Sequence, residues 1–256
     1  MKCRIGTRTI AIASGKGGVG KSTITANLAV SLVQQGYSVG ILDADLFGPS
    51  IPIMFGLRRM SPRTFKAADG SEKIFPLTKF GVSLLSIGFF LEEANAALWR
   101  GPVLHAILEK MLAKTQWQDL DWLLIDLPPG TGDILISLEK LLMIDSALIV
   151  CTPQEVAILD ALKAIHAFDQ LKVPLSGIVE NMAGFTVPET EITYHLFGQG
   201  KAAELARNCA VPLLASIPLI PAIRIGGDEG CPAALYKSEQ QTGAVFATLA
   251  RAVAKG

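Results

Sequence analysis

The sequence predicts an α/β fold: a mainly parallel sheet with helices on both faces. Short β-rich apolar runs alternate with longer helical patterns along the chain. The apolar strands are continuous rather than alternating, as in strands buried on both sides. A glycine-rich turn joins the first strand to the first helix. The 256 residues suit one domain, and residues 1–256 are expected to form a single unit. Basic and acidic residues balance at 23 each, which excludes a generally basic nucleic-acid coat. Half the residues are hydrophobic and only 18% are charged, which excludes a mainly disordered chain.

Residues 9–13 read as the first strand. In residues 22–35, Ile24, Leu28 and Leu32 recur four apart on one helical face, and Gly36 stands where that helix ends. Residues 39–42 and 82–87 are the next strands. Residues 103–112 read as a helix, with Pro102 suited to its first turn. Strands follow at 123–125 and 147–151, then a long helix at 154–171 ending before Pro174. A strand at 176–179 runs toward Asn181. A helix at 199–208, a strand at 213–217 and a C-terminal helix at 238–254 complete the series. The last carries Val245, Leu249 and Val253 on one face. Residues 58–81 are the most polar stretch, with Arg58, Arg59, Arg63, Lys66, Lys73 and Lys79 against Asp69 and Glu72. They read as a solvated flap or irregular insertion, or else as a surface for an acidic partner.

Cys3, Cys151, Cys209 and Cys231 are far apart with no C-x-x-C pair, which argues against a disulfide scaffold. No signal peptide is read at the N-terminus, and the most apolar segments are too short to span a bilayer. The expectation is a soluble cytoplasmic protein.

Gly15-Lys16-Gly17-Gly18-Val19-Gly20-Lys21-Ser22 fits G-x-x-x-x-G-K-[ST] at every fixed position, between a predicted strand and a predicted helix. The glycines let backbone N–H groups turn inward around phosphate oxygens, and the helix N-terminus adds donors and partial positive charge. Lys21 can reach the β- and γ-phosphates, Ser22 can ligate Mg²⁺, and Thr23 can bond nearer the α-phosphate. Asp126 follows an apolar strand, as a Mg²⁺-supporting Walker B aspartate does. Its following loop, 126–133, is glycine-rich and suited to sensing a γ-phosphate. Asp43 and Asp45 end the second strand. Each reads as a water-orienting or metal-shell residue, or as a turn or cap residue.

Lys16, a second lysine just after the first P-loop glycine, resembles the signature of the deviant Walker A ATPases. These include the MinD/ParA partition proteins, nitrogenase iron protein, arsenite-pump ATPases and the Mrp/ApbC group. Longer stretches are similar to the Mrp/ApbC iron–sulfur cluster carriers in particular: Leu42-Asp-Ala-Asp-Leu-Phe-Gly-Pro-Ser-Ile-Pro52, Trp99-Arg-Gly-Pro102, Asp126-Leu-Pro-Pro-Gly-Thr-Gly-Asp133, Thr152-Pro-Gln-Glu-Val156 with Asp160, Gly177-Ile-Val-Glu-Asn-Met182, and Pro221-Ala-Ile-Arg224 with Gly227-Asp-Glu-Gly230. These marks cover nearly the whole chain. The resemblance implies a P-loop NTPase fold of the nitrogenase iron protein/MinD type and a Mg-ATP-hydrolysing homodimer. Gly15, Lys16, Gly17, Gly18, Val19, Gly20, Lys21, Ser22 and Thr23 would bind ATP, and Ser22 and Asp126 would hold Mg²⁺. Lys16 would reach the partner's phosphates, and Asp45 would orient water. Asn181 would bond the adenine, with the segment after Pro218 closing over the base. Iron–sulfur client apoproteins are the implied partners, with no nucleic acid and no membrane. Because the P-loop strand starts almost at once, the extra N-terminal domain of many bacterial members is expected to be absent.

One departure outweighs these matches. After Asn-Met the family usually places a C-x-x-C that binds a bridging [4Fe–4S] cluster. Aligned on Pro188, those two positions are Val187 and Thr190, neither of which supplies a thiolate. Ile220 replaces an acidic residue that often precedes the Pro-x-Ile-Arg stretch. Cys231, in a loop after Gly230, reads either as an exposed thiol or as a small core residue, as does Cys209 at a helix end, while Cys151 ends a buried strand. His105, His166 and His195 show no metal spacing. Two alternatives stand beside the carrier-type ATPase: a MinD/ParA-like positioning switch, and a non-carrier scaffold that docks partners through the 58–81 flap. The small, Ala-rich stretch 247–255 lacks the bulky apolar face and basic rim of an interfacial helix.

Overall fold

The computed structural model describes residues 2–46, 48–68, 70–90, 101–130, 132–236 and 240–255. Phe47, Asp69, Trp99, Arg100, Thr131 and Ser238, which entered the sequence reading, lie outside the described residues. In chain order the first elements are β1 (Gly6–Ala13), α1 (Lys21–Gln34), β2 (Val39–Asp43), α2 (Ile51–Met54), β3 (Arg63–Lys66), β4 (Glu72–Phe75), β5 (Leu77–Lys79) and β6 (Val82–Ser86). Then come α3 (Gly101–Lys114), β7 (Leu120–Asp126), α4 (Asp133–Leu141), β8 (Ser146–Cys151), α5 (Glu155–Gln170) and β9 (Leu175–Asn181). The chain continues with β10 (Phe185–Thr186), β11 (Thr193–Tyr194), α6 (Lys201–Asn208), β12 (Leu213–Ile217), α7 (Pro221–Glu229) and α8 (Gln240–Lys255).

The main sheet has the order β12-β9-β8-β1-β7-β2-β6-β5. Every neighbouring pair is parallel except β5 on β6. Alternation along each strand splits the core into two layers. Ile10, Ile12, Trp122, Leu124, Leu148 and Val150 face α1 and α8, packing with Leu28, Leu32, Phe246 and Leu249. Ala11, Ala13, Leu123, Ile125 and Ile149 face the other side, against Leu108, Leu135, Ala161 and Phe168 of α3, α4 and α5. Each fully buried Leu or Phe contributes roughly 1.5–3 kcal/mol relative to exposure, so both layers hold the sheet flat between helices. The apolar face of α8 is used up in this packing: Phe246 and Leu249 are 0% exposed.

Parallel strands bring their C-terminal ends to one edge. Register sets Asp126 beside Ile12 of β1 and beside Asp43 of β2. It likewise sets Asn181 beside Ile217. The chain leaves β1 in one direction to reach β2 and crosses to the other side for β8, so the ligand crevice expected at a topological switch point falls at the end of β1.

Three sequence expectations change. The strand read as 82–87 ends at Ser86, because Ile87–Phe89 winds into a 3₁₀ turn in which Ser86 Oγ accepts from the Gly88 amide at 3.0 Å. The 58–81 stretch is not irregular: β3 and β4 form an antiparallel hairpin, and β5 joins the main sheet. The hairpin is fixed because Ile74 is 3% exposed and its carbonyl accepts from the Gln116 amide at 2.8 Å, beyond α3. Finally, α2, α4 and α7 were not read from the sequence. Gly36 does end α1 as expected, with φ +93 and its amide donating to the Val33 carbonyl at 2.9 Å.

Candidate nucleotide-binding site

The loop between β1 and α1 encloses a cavity of about 250 Å³. Lys16, Gly17, Gly18, Val19, Gly20, Lys21, Ser22, Thr23 and Asp45 all line it, as expected of a phosphate cradle. Gly18 and Gly20 take φ +81 and +88, a region L side chains rarely adopt. Gly15 stands behind the cavity. A Cβ there would lie 2.0 Å from the Asp160 carbonyl of α5, so only glycine lets that helix close on the loop.

Lys21 is 6% exposed and its ammonium sits 2.9 Å from Asp126 Oδ1 and 3.8 Å from Asp45 Oδ2. Ser22 Oγ donates to Asp126 Oδ2 at 2.6 Å. Thr25, fully buried one turn along α1, donates to Asp126 Oδ1 at 2.8 Å. Asp126 is 0% exposed, so two hydroxyls and an ammonium hold this carboxylate in place. Ser22 and Asp126 are hard oxygen donors beside a phosphate-sized cradle. That set suits Mg²⁺, which takes one or two protein ligands and completes its shell with water and phosphate.

Asp43 lies under the same edge, 0% exposed, accepting from Ser86 Oγ at 2.8 Å and from the Asp45 amide at 3.1 Å. Burial, reinforced by the neighbouring Asp126 charge, holds its carboxyl well above the usual carboxylate range. Of the two aspartates ending β2, Asp45 lines the cavity and Asp43 supports the loop from beneath.

Asn181 reaches the site from the side, its Nδ2 donating to the Val19 carbonyl at 2.8 Å. A Cβ on Gly20 would meet that nitrogen at 2.2 Å. Pro218 directly follows Ile217, the register partner of Asn181, but neither Asn181 nor Pro218 lines the cavity itself. Lys16 differs from Lys21: it is exposed at the rim, while its carbonyl is held by Ser14 Oγ at 3.0 Å. Sequence reasoning missed Thr25 and Ser86. The first could have been found from its i+4 spacing to Lys21, which puts both on one helical face.

Residues 6–254 match the family described as ParA: NUBPL iron-transfer P-loop NTPase. The chain belongs to that family. An iron-sulfur cluster carrier protein of Aquifex aeolicus is 43% identical over 247 residues, covering 96% of this chain and 67% of the relative. The Escherichia coli K12 iron-sulfur cluster carrier protein is 41% identical over 245 residues, 96% of this chain and 65% of its own. The chain thus spans about two thirds of the length of the curated relatives it matches. A nucleotide-binding protein from Archaeoglobus fulgidus, solved in complex with ADP, superposes with a TM-score of 0.78 at 38% identity, covering 94% of this chain and 92% of that one. The cell division ATPase MinD of Pyrococcus furiosus gives 0.71 at 28%, covering 97% and 99%. The iron-transfer P-loop NTPase fold is therefore the fold of this chain.

In this chain the segment in which Val187 and Thr190 stand at the expected C-x-x-C positions is a hairpin. β10 and β11 pair Phe185 with Tyr194 and Thr186 with Thr193. Val187 and Thr190 form its tip, where the Val187 amide donates to the Ile192 carbonyl at 2.9 Å and Thr190 Oγ1 to the Val187 carbonyl at 3.3 Å. Glu189 and Glu191 hold positive φ values of 74 and 56 there. The cysteines lie elsewhere. Cys151 is 1% exposed and burial pushes its thiol up to about 12. Cys3 and Cys209 are half-buried, and burial raises both thiols too. Cys231 is half-buried, its amide closing onto the Gly226 carbonyl at 2.8 Å after α7. His195 is exposed, with Nδ1 3.1 Å from the Ala183 carbonyl. Among the described residues no group of three or more His, Cys, Asp or Glu is placed to hold a metal ion.

Proposed function

We propose that this chain is a cytoplasmic, Mg²⁺-dependent ATPase, one domain over 1–256, that works as a homodimer with ATP between its copies. The observation that carries the reading is the Lys21–Ser22–Asp126 cluster at the mouth of the phosphate cradle, with Ser22 Oγ 2.6 Å from Asp126. The loop amides and Lys21 would bind the phosphates. Mg²⁺, held by Ser22 and Asp126, would offset charge on the β- and γ-phosphate oxygens. Asp45, on the cavity wall, would orient the attacking water, which displaces the γ-phosphoryl group to give ADP and phosphate. Asn181 and the segment after Pro218 would bracket the base. Among the described residues the Lys16 side chain makes no ion pair or side-chain hydrogen bond. It is free at the rim to reach the phosphates held by the other copy.

We further propose that cluster carriage does not proceed through the 187–190 hairpin in this chain. A [4Fe–4S] cargo needs thiolates, and burial keeps Cys151 protonated at physiological pH. If the chain serves iron–sulfur client apoproteins, it does so through the ATP switch. The positioning-switch alternative is less favoured, since the apolar face of α8 is packed against α1 and leaves no amphipathic surface for a lipid interface. Among the described residues no helix is long and apolar enough to cross a membrane.

The test is isothermal titration with Mg-ATP together with a phosphate-release assay. Nanomolar-to-micromolar binding and turnover, both abolished in Lys21→Ala, support the reading; unchanged affinity in that variant refutes it. Anaerobic reconstitution with iron and sulfide, followed by iron counting, tests the cargo. The expected result is no stoichiometric cluster, and one cluster per dimer would overturn that part.

A further inference from the structure

The β3–β4 hairpin has two unlike faces. Register pairs Thr64 with Ile74 and Lys66 with Glu72 on the inner side. There Ile74 is buried, and Glu72 is engaged by Lys114 at 2.9 Å and Lys110 at 3.7 Å from α3. The outer side carries the other two pairs, Arg63 with Phe75 and Phe65 with Lys73. Phe65 is 61% exposed and Phe75 is 45% exposed. Two phenylalanines and two cations thus share one small two-stranded surface, and cross-strand and diagonal neighbours lie within roughly 8 Å of each other. The one carboxylate described on these strands is already neutralised on the inner side. The outer surface is therefore locally basic although the chain as a whole has no net charge.

Two further observations bear on what covers it. β3 pairs only with β4 in its sheet, so its far edge is a strand edge without a ladder partner among the described residues. Such edges add an extended peptide as a further strand. Beside Phe75 lies a cavity of about 300 Å³, lined also by Pro76, Gln116, Trp117 and Gln118.

We propose that the outer face of the β3–β4 hairpin docks an extended, acidic and apolar segment of a partner protein. Carboxylates of that segment meet Arg63 and Lys73, apolar side chains cover Phe65 and Phe75, and its backbone extends the sheet along β3. The cavity beside Phe75 accepts one side chain. The strand edge and the side-chain-sized cavity favour a polypeptide over an anionic lipid surface. The proposal is independent of the ATPase reading, so nucleotide affinity serves as a separate readout.

The test uses a phage-displayed random peptide library selected on the full chain. The strongest recovered peptide is then titrated by fluorescence anisotropy against wild type, Arg63→Glu/Lys73→Glu and Phe65→Ser/Phe75→Ser. The expected pool is rich in Asp and Glu interleaved with apolar residues. Its dissociation constant should rise at least about tenfold in the charge-reversal variant and climb with salt. The serine variant should weaken binding independently. Arg63, Phe65 and Phe75 are exposed and Lys73 is half-buried, and none lines the phosphate cradle, so melting temperature and ADP affinity should match wild type. A pool without acidic enrichment, no recovered binder, or wild-type affinity in both variants would overturn the proposal. So would pelleting of the chain with phosphatidylglycerol vesicles that is lost in the same variants, which would assign the face to lipid.

Discussion

Replacing Lys21 by Met probes the charge arrangement at the centre of the site. The aliphatic stem is kept and the ammonium is lost from a pocket where it is 6% exposed and Asp126 is fully buried. At separations of 2.9 and 3.8 Å, and an effective dielectric near 20, the gross attractions to Asp126 and Asp45 are about 6 and about 4 kcal/mol. Desolvation offsets much of that, but removing one partner leaves a buried carboxylate uncompensated, for about 3–5 kcal/mol. For a chain of this size each kcal/mol is worth about 2 °C, so the melting temperature should fall by about 6–10 °C. Lys21→Met/Asp126→Asn should recover most of this loss. Its neutral amide oxygen still accepts from Ser22 or Thr25, and the fully buried position 126 no longer carries a charge. Differential scanning fluorimetry without nucleotide, on wild type, both single variants and the double variant, measures the coupling. A Lys21→Met protein that melts with wild type, or a double variant whose loss equals the sum of the singles, would refute the reasoning.

Gly20→Ala should abolish nucleotide binding by calorimetry and lower stability by about 1–3 kcal/mol. It forces an L side chain to φ +88 and drives a methyl into Asn181 Nδ2. Ile220→Asp should raise the melting temperature by about 2 °C. Ile220 is the N-cap of α7 and supplies no side-chain acceptor, and a good cap is worth about 1 kcal/mol. Cys151 should resist iodoacetamide at pH 8 in the native chain and react fully in denaturant, as mass spectrometry would report. Its folded value near 12 lies above the unfolded 9.0. Its contribution to stability is therefore complete below pH 9 and is lost as pH rises toward 12, and Cys151→Ala should lessen that alkaline loss.

The parts of the fold readable in the sequence are those where local pattern and tertiary role agree. The glycine spacing around Lys21 requires a strand, a turn and a helix, and β1, the cradle and α1 follow it. The continuous apolar runs of β7 and β8 could only be buried strands. The elements that were not readable depend on context. α7 contains Gly226 and Gly227 and starts at an uncapped Ile220, so its propensity is poor. It is helical because Gly226 packs against the backbone at Cys231, where a Cβ would sit 2.4 Å away. The β3–β4 hairpin looked like a solvated flap because seven of its eight strand residues are exposed or half-exposed; Ile74 against α3, with the Glu72–Lys114 ion pair, fixes it. Lys21, Ser22 and Asp126 could be named together from sequence because their spacing is chemical, and the structure brings their side chains into contact. Ser86 was missed because a lone hydroxyl on an apolar strand gives no signal until register brings Asp43 to it, whereas Thr25 carried only its i+4 spacing to Lys21.

The account turns on two lysines with separate tasks, Lys21 within the cradle and Lys16 across a dimer. Sedimentation velocity with Mg²⁺ and a slowly hydrolysed ATP analogue, on wild type and Lys16→Ala, tests this most directly. Lys16→Ala should bind the analogue and melt within about 1 °C of wild type, because the side chain is exposed and unpaired among the described residues. Wild type should sediment as a dimer with the analogue and as a monomer with ADP, while Lys16→Ala stays monomeric with both. A Lys16→Ala protein that dimerises as wild type does, or a wild type whose mass is the same with either nucleotide, would contradict the account.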